Sequence, residues 1–314
     1  MKALILGDIH LQTTGESVSV VDLPVETHDL VITIGDIIDE NRDHAKSVSA
    51  GDKYEKKGKV FFEKLNESHT PVVAVPGNHD PLVCTERLVE EYEYISVLHN
   101  TVLHGGNVGP TNADFDGLAV AGWGCEEFDF TPAIPAPTYP EIPSDKFNQQ
   151  GAEAEFVATY VERKTARYLA GIDDFDTFRA TFVETPSVYS SDDSVFHERV
   201  TTLEERFETL CELMGDIEEP LLLCTHISPF GVPFDRRTKH SHDGRYHFGS
   251  LALKLAILEK SPLGVISGHT HQRGLTSVQT GDGFAYLYNP GAPGIASLEV
   301  GTDGTFVVEE LSIE

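Results

Sequence analysis

Short apolar runs punctuate the chain and stop abruptly. Residues 3–6, 30–34, 72–75, 118–121, 221–225 and 264–266 are each a few residues long and end at glycine or a polar residue. Runs of that length and bounding read as strands buried on both faces. Helical spacing fills several of the gaps. Residues 54–66 carry apolar side chains at Val60, Phe61, Phe62 and Leu65, and 85–93 and 250–260 behave alike. Ser250, directly after Gly249, is a ready N-cap. Strand and helix in alternation predict an α/β architecture. From Leu275 onward the pattern changes. Runs at 284–288, 295–300 and 305–311 are set apart by Gly281-Asp282-Gly283, Asn289-Pro290-Gly291 and Asp303-Gly304. Those are turn signals, and they predict closing antiparallel strands.

Residues 126–219 differ in kind. A proline-rich opening (Pro132, Pro135, Pro137, Pro140, Pro143) leads into helical patterns at about 146–170, 172–183 and 195–214. This stretch holds 22 acidic against 7 basic residues. It reads as an acidic, mainly helical insertion, a cap, within one domain spanning 1–314. No internal repeat is visible.

Charge narrows the partners. Fifty-one acids against 23 bases leave a formal charge of -28 over 314 residues. Such a field repels nucleic acid and anionic membranes. Molar salt, with a Debye length of ~3 Å, would screen the self-repulsion, so a halophilic source and an ordinary acidic protein are both open readings. No apolar run approaches the ~18 residues of a membrane span. The apolar start at 3–6 is too short for a signal-peptide core, so a cytoplasmic chain is expected. Cys84, Cys125, Cys211 and Cys224 form no Cys-x-x-Cys pair, which argues against a disulfide framework or a thiolate zinc site.

The candidate chemistry sits at the strand ends. Residues 3–6 run into Gly7-Asp8-Ile9-His10, 30–34 into Gly35-Asp36-Ile37-Ile38-Asp39, and 72–75 into Pro76-Gly77-Asn78-His79-Asp80. Residues 221–225 run into His226, and 264–266 into Ser267-Gly268-His269-Thr270-His271. Ligands in open α/β sheets gather at strand carboxyl ends, so parallel strands in one sheet would make these groups converge. Asp8/His10 and His269/His271 are i, i+2 pairs, which in extended backbone point the same way. The glycines ahead of them remove bulk and permit unusual turn angles. Oxygen and imidazole nitrogen without thiolate suit manganese, iron, cobalt, nickel or zinc. Seven such groups are too many for one ion and suit two ions sharing a carboxylate. Any one of these motifs alone would be an ordinary turn or loop; their joint occurrence at successive strand ends carries the inference.

These motifs, in this order, resemble those of the calcineurin-like metallophosphoesterases: Asp-x-His, Gly-Asp-x-x-Asp, Gly-Asn-His-Asp, a later His, and Gly-His-x-His. The resemblance implies a four-layer α/β/β/α sandwich and two divalent metal ions, manganese first. It implies that Asp8, His10 and His271 serve one ion, that Asn78, His226 and His269 serve the other, and that Asp36 bridges them. His79 matches the family's catalytic histidine and Asp39 the acid that orients it. The reaction implied is hydrolysis of a phosphomonoester or phosphodiester by a hydroxide that two ions hold and activate. His79 would assist the leaving group. Asn289-Pro290-Gly291 resembles a turn that follows the last motif in the family.

One departure bears on substrate. Protein Ser/Thr phosphatases of the superfamily continue the second motif with Arg-Gly, whereas Glu40-Asn41-Arg42 stands here. The segment after His226 carries Arg236, Arg237, Lys239, Arg245 and His247, and it is the candidate anion-binding lip; the competing reading is a solvated loop paired with the acidic insertion. A small phosphoester is the expected partner. A nuclease of the same superfamily and a non-catalytic metal-binding scaffold are the alternatives. The sequence leaves oligomeric state open.

Overall fold

The computed structural model describes residues 1–11, 19–39, 51, 53–104, 115, 117–126, 151–183, 193–215, 217–236 and 248–311. In chain order the first half comprises β1 (Lys2–Gly7), β2 (Leu30–Thr33), α1 (Lys53–Glu67), β3 (Val72–Ala74), α2 (Leu82–Val89), β4 (Ile95–Val97), β5 (Thr101–His104) and β6 (Ala119–Trp123). There follow α3 (Gly151–Leu169), α4 (Phe175–Val183), α5 (Asp193–Leu213), β7 (Leu221–Thr225), α6 (Leu251–Lys260) and β8 (Gly264–Ile266). The chain ends in β9 (Gly274–Gln279), β10 (Phe284–Asn289), β11 (Gly294–Val300) and β12 (Phe306–Glu310).

The strands form two six-stranded sheets, β12-β11-β1-β2-β3-β4 and β5-β6-β7-β8-β10-β9. In the first, β1 to β4 are parallel and β11 and β12 join antiparallel. In the second, β6, β7, β8 and β10 are parallel, with β5 and β9 antiparallel at the edges. The continuous apolar runs have a direct cause: both faces of each strand are covered. Along β1, Ala3 and Ile5 face the layer between the sheets, where they meet Ile32, Val73, Val120, Leu222 and Ile266. Leu4 and Leu6 face outward against Phe61, Phe62 and Leu65 of α1 and Leu88 of α2. Each fully buried leucine or isoleucine contributes about 1.5–3 kcal/mol. On the far side, Ala121, Leu223, Val265 and Leu287 meet Leu251 and Leu255 of α6 together with Val161, Phe178, Val200 and Leu203 of α3 to α5. The result is a four-layer α/β/β/α sandwich.

The predicted helices at 54–66, 85–93 and 250–260 correspond to α1, α2 and α6. The Ser250 side chain caps α6 by accepting the Leu253 N–H at 3.2 Å. The motif-bearing strands lie in two sheets, as the four-layer expectation requires. One expectation needs correction: the run at 284–288 is not wholly antiparallel, because β10 pairs parallel with β8. The acidic helices α3 to α5 pack a buried apolar face on the second sheet's outer surface. No described helix is long and apolar enough to cross a membrane.

Candidate metal centre

Each motif leaves the carboxyl end of a strand. β1 delivers Asp8 and His10, β2 delivers Asp36 and Asp39, and β3 delivers Asn78 and His79. The second sheet brings His226 after β7, and His269 and His271 after β8. Within the first sheet, the His10 N–H donates to the Asp36 carbonyl at 2.9 Å. Within the second, the Gly268 N–H donates to the His226 carbonyl at 2.8 Å. Two further bonds cross between the sheets. His226 Nδ1 meets the Ile34 carbonyl at 2.8 Å, and the His269 N–H donates to the Asp8 carboxylate at 3.0 Å. These bonds fix the relation of one set of strand ends to the other.

The side chains do not converge through extended backbone. Asp8, His10, Asp36, His269 and His271 all have positive φ, between 48° and 69°. They are five of eight such non-glycine residues among the described ones. Of the four glycines that precede the motifs, Gly35 alone has positive φ, 87°. The unusual angles thus fall mainly on the functional residues, and the other glycines serve close approach. A Cβ on Gly77 would collide with the Asp36 backbone and carboxylate. Left-handed backbone on non-glycine residues persists only where the surroundings over-determine it.

Three groups of ligand atoms result, each with its members within 4.8 Å of one another: Asp8, His10 and His271; His10, Asp36 and His79; and Asp36, His226 and His269. His10 Nε2 and His271 Nε2 face each other at 3.0 Å. His271 Nε2 lies 3.6 Å from Asp8 Oδ1. Asn78 Oδ1 stands between His226 Nε2 at 2.8 Å and His269 Nδ1 at 2.7 Å. Asp36 Oδ2 is 3.5 Å from His226 Nε2, 3.8 Å from His10 Nε2 and 3.8 Å from His79 Nε2. His79 Nδ1 lies 3.2 Å from Asp39 Oδ1, and His10 Nδ1 lies 3.9 Å from the same oxygen.

The electrostatics of this centre are strained. Burial, reinforced by the Asp36 charge and opposed by His226, pushes Asp8 up to about 7. Burial would raise Asp36 too, but His226 first, then His79 and His10, hold it far below the usual carboxylate range. Burial would lower His226, yet Asp36 by charge and hydrogen bond, and Asp8 beyond it, raise it to about 9. Burial likewise opposes His79, and hydrogen bonding to Asp39 with the Asp36 charge raises it above the ordinary histidine value. Buried carboxylates facing imidazoles that share protons are the protonated counterpart of a cation site, because ligation displaces those protons. With Nδ1–H donated to Ile34, a neutral His226 turns the Nε2 lone pair toward Asn78 and Asp36. The donor set fits divalent first-row metals.

All nine residues named for metals and catalysis therefore gather at one end of the sandwich. Of the proposed anion-binding residues, Arg236 is described and half-buried; Arg237, Lys239, Arg245 and His247 lie outside the described residues. Sequence reasoning overlooked Asp80. Its buried carboxylate accepts the backbone N–H of Asp36 and Ile37, each at 2.8 Å, and of Gly77 at 3.0 Å. It ties the β2 loop to the β3 loop. Its place at the end of the Gly-Asn-His-Asp motif was the available signal. Burial, then the Asp36 charge, push it up to about 6.

The chain is similar to several solved structures and to one protein family. The solved structure of the TT1561 protein of Thermus thermophilus is 14% identical, with 98% of each chain covered and a TM-score of 0.44. That of the phosphopantetheinyl hydrolase of Mycobacterium tuberculosis is 16% identical, covering 93% of this chain and 90% of its own, with a TM-score of 0.42. No curated protein matches. The model of the calcineurin-like phosphoesterase family matches residues 1–273. The chain belongs to the calcineurin-like phosphoesterase family.

Proposed function

We propose that this chain hydrolyses a small phosphomonoester or phosphodiester at a centre holding two divalent cations, manganese being the first to test. Asp8, His10 and His271 would hold one ion, Asn78, His226 and His269 the other, and Asp36 would serve both. The observation that carries this reading is the position of Asp36. Its carboxylate lies within 3.8 Å of imidazole nitrogens from both sets, His10 at 3.8 Å and His226 at 3.5 Å, as a shared ligand must. When bound, the cation pair supplies a water acidified to near-neutral pH and positive charge for the phosphoryl oxygens.

The remaining steps belong to side chains. Asp39, 3.2 Å from His79 Nδ1, orients that ring and favours its protonated form. Nε2 is then the atom that hands a proton to the departing oxygen, or stabilises its charge. Arg236 lies two residues beyond Phe234, whose carbonyl accepts the Thr270 hydroxyl at 2.6 Å. That bond holds the segment after His226 against the His269–His271 loop, a suitable place for a phosphate contact. The excess of acids disfavours a nucleic-acid backbone as substrate. We read α3 to α5 as an acidic insertion that narrows access to the site.

Turnover of mono- and bis-(p-nitrophenyl) phosphate with Mn²⁺, at low and molar salt, tests the proposal. Hydrolysis of either, abolished by chelation, is expected, and the ratio separates monoesterase from diesterase. Absence of both activities in metal-loaded protein supports the non-catalytic scaffold instead.

A further inference from the structure

Asn289 ends β10 with no exposed surface. Its Oδ1 accepts the Gly291 N–H at 2.8 Å. Its Nδ2 donates to the Gly268 carbonyl at 2.9 Å and also lies 3.1 Å from Ser228 Oγ and 3.2 Å from Thr270 Oγ1. The partners dictate the amide's orientation, because a backbone N–H can only donate and a carbonyl can only accept. The hub extends further. The Ser228 hydroxyl donates to the Gly268 carbonyl at 3.0 Å, and the Thr270 hydroxyl donates to the Phe234 carbonyl at 2.6 Å.

The placement of these partners is informative. Ser228 lies two residues beyond His226. Gly268 directly precedes His269. Thr270 separates His269 from His271, and both histidines carry positive φ, 69° and 60°. One buried amide thus binds the two loops that bear His226, His269 and His271. Buried polar networks with every member satisfied fix a single arrangement.

We propose that Asn289 is a positioning residue that holds His226, His269 and His271 in one frame, maintaining the left-handed backbone that turns the last two into the centre. The inference rests on the metal-centre reading above. It is tested by titrating purified protein with cobalt(II), followed by visible absorption and calorimetry. N289D keeps the acceptor for Gly291 but sets an oxygen against the Gly268 carbonyl. Thr270→Val removes one partner without changing size much, and Thr270→Ser restores the hydroxyl. Val300→Ala, a core substitution between the sheets, controls for lost stability.

Outer-shell partners of metal ligands typically matter about 10–100-fold in affinity. Asn289→Asp and Thr270→Val are each expected to weaken cobalt binding by about tenfold or more and to alter the absorption bands. Thr270→Ser and Val300→Ala should stay within about threefold of wild type. Should Asn289→Asp fail to fold, Thr270→Val carries the test. Wild-type affinity and spectrum in the folded variants overturn the role of Asn289 alone, as does an equal loss in Val300→Ala. A wild-type protein that takes up no cobalt overturns the metal centre itself, and the inference with it.

Discussion

Replacing Gly35 by alanine adds one methyl group where the loops of the two sheets press together. At φ 87° the residue already occupies a conformation that L side chains rarely adopt. The new Cβ would lie 2.5 Å from Gly77 Cα, 2.6 Å from Gly77 N and 2.7 Å from His226 Nδ1. Ordinary contact starts at 3.4 Å, so something must yield by about 0.9 Å. Backbone and a buried ring are poor at yielding. Left-handed strain of about 1–3 kcal/mol and overpacking of about 1–3 kcal/mol together give ~4 kcal/mol. At about 1.5 °C per kcal/mol for a chain of this length, the melting temperature should fall by roughly 6 °C. The displaced groups are the backbone preceding Asn78 and the His226 ring itself, so affinity for one of the two ions should drop as well. Differential scanning calorimetry and cobalt titration on the same preparation read both effects. A Gly35→Ala variant that melts within about 2 °C of wild type and binds cobalt normally refutes the close-approach reasoning.

Other outcomes follow from the same geometry. His79→Ala should keep its full metal content while kcat falls by about 10²–10⁴; loss of metal in that variant would show His79 to be a ligand instead. His28 is buried, with Nδ1 on the Pro24 carbonyl at 2.8 Å and Nε2 on Ser297 Oγ at 2.9 Å. Burial, opposed by the Pro24 bond, lowers its pKa from 6.5. A lowered base favours the neutral form in the fold, so its contribution to stability is complete above 6.5 and lost as pH falls through the folded value. The melting temperature of His28→Gln should therefore decline less between pH 7 and pH 5 than that of wild type, and parallel decline contradicts the assignment.

Much of this fold could be read from the sequence because its central strands are covered on both faces. Continuous apolar runs such as 3–6 and 221–225 then stand out, and their polar ends mark the site. β4, β5 and β9 escaped because they are short or lie at sheet edges, where half-exposed residues such as those of Thr101–His104 break the pattern. The parallel pairing of β10 with β8 depends on tertiary contact, which local turn signals do not encode. Asp80 and Asn289 were hidden for a related reason. Each acts on groups far away in the chain: Asp80 on Asp36 and Ile37 in the β2 loop, and Asn289 on Ser228 in the loop after β7. The motif ending in Asp80 and the turn containing Asn289 are visible in the sequence, but neither reveals its distant partner. The same holds for backbone angle: an i, i+2 pair in extended chain and one in left-handed turns are identical as strings, so Asp8 and His10 converge for a reason the spacing did not supply.

Metal content per chain bears most directly on the shared-carboxylate centre. Protein loaded with excess Mn²⁺ and freed of unbound metal by gel filtration should hold two ions per chain by elemental analysis, and Asp36→Ala should hold one or none. A wild-type count of one or zero, or an Asp36→Ala count equal to wild type, contradicts a pair of ions joined by Asp36.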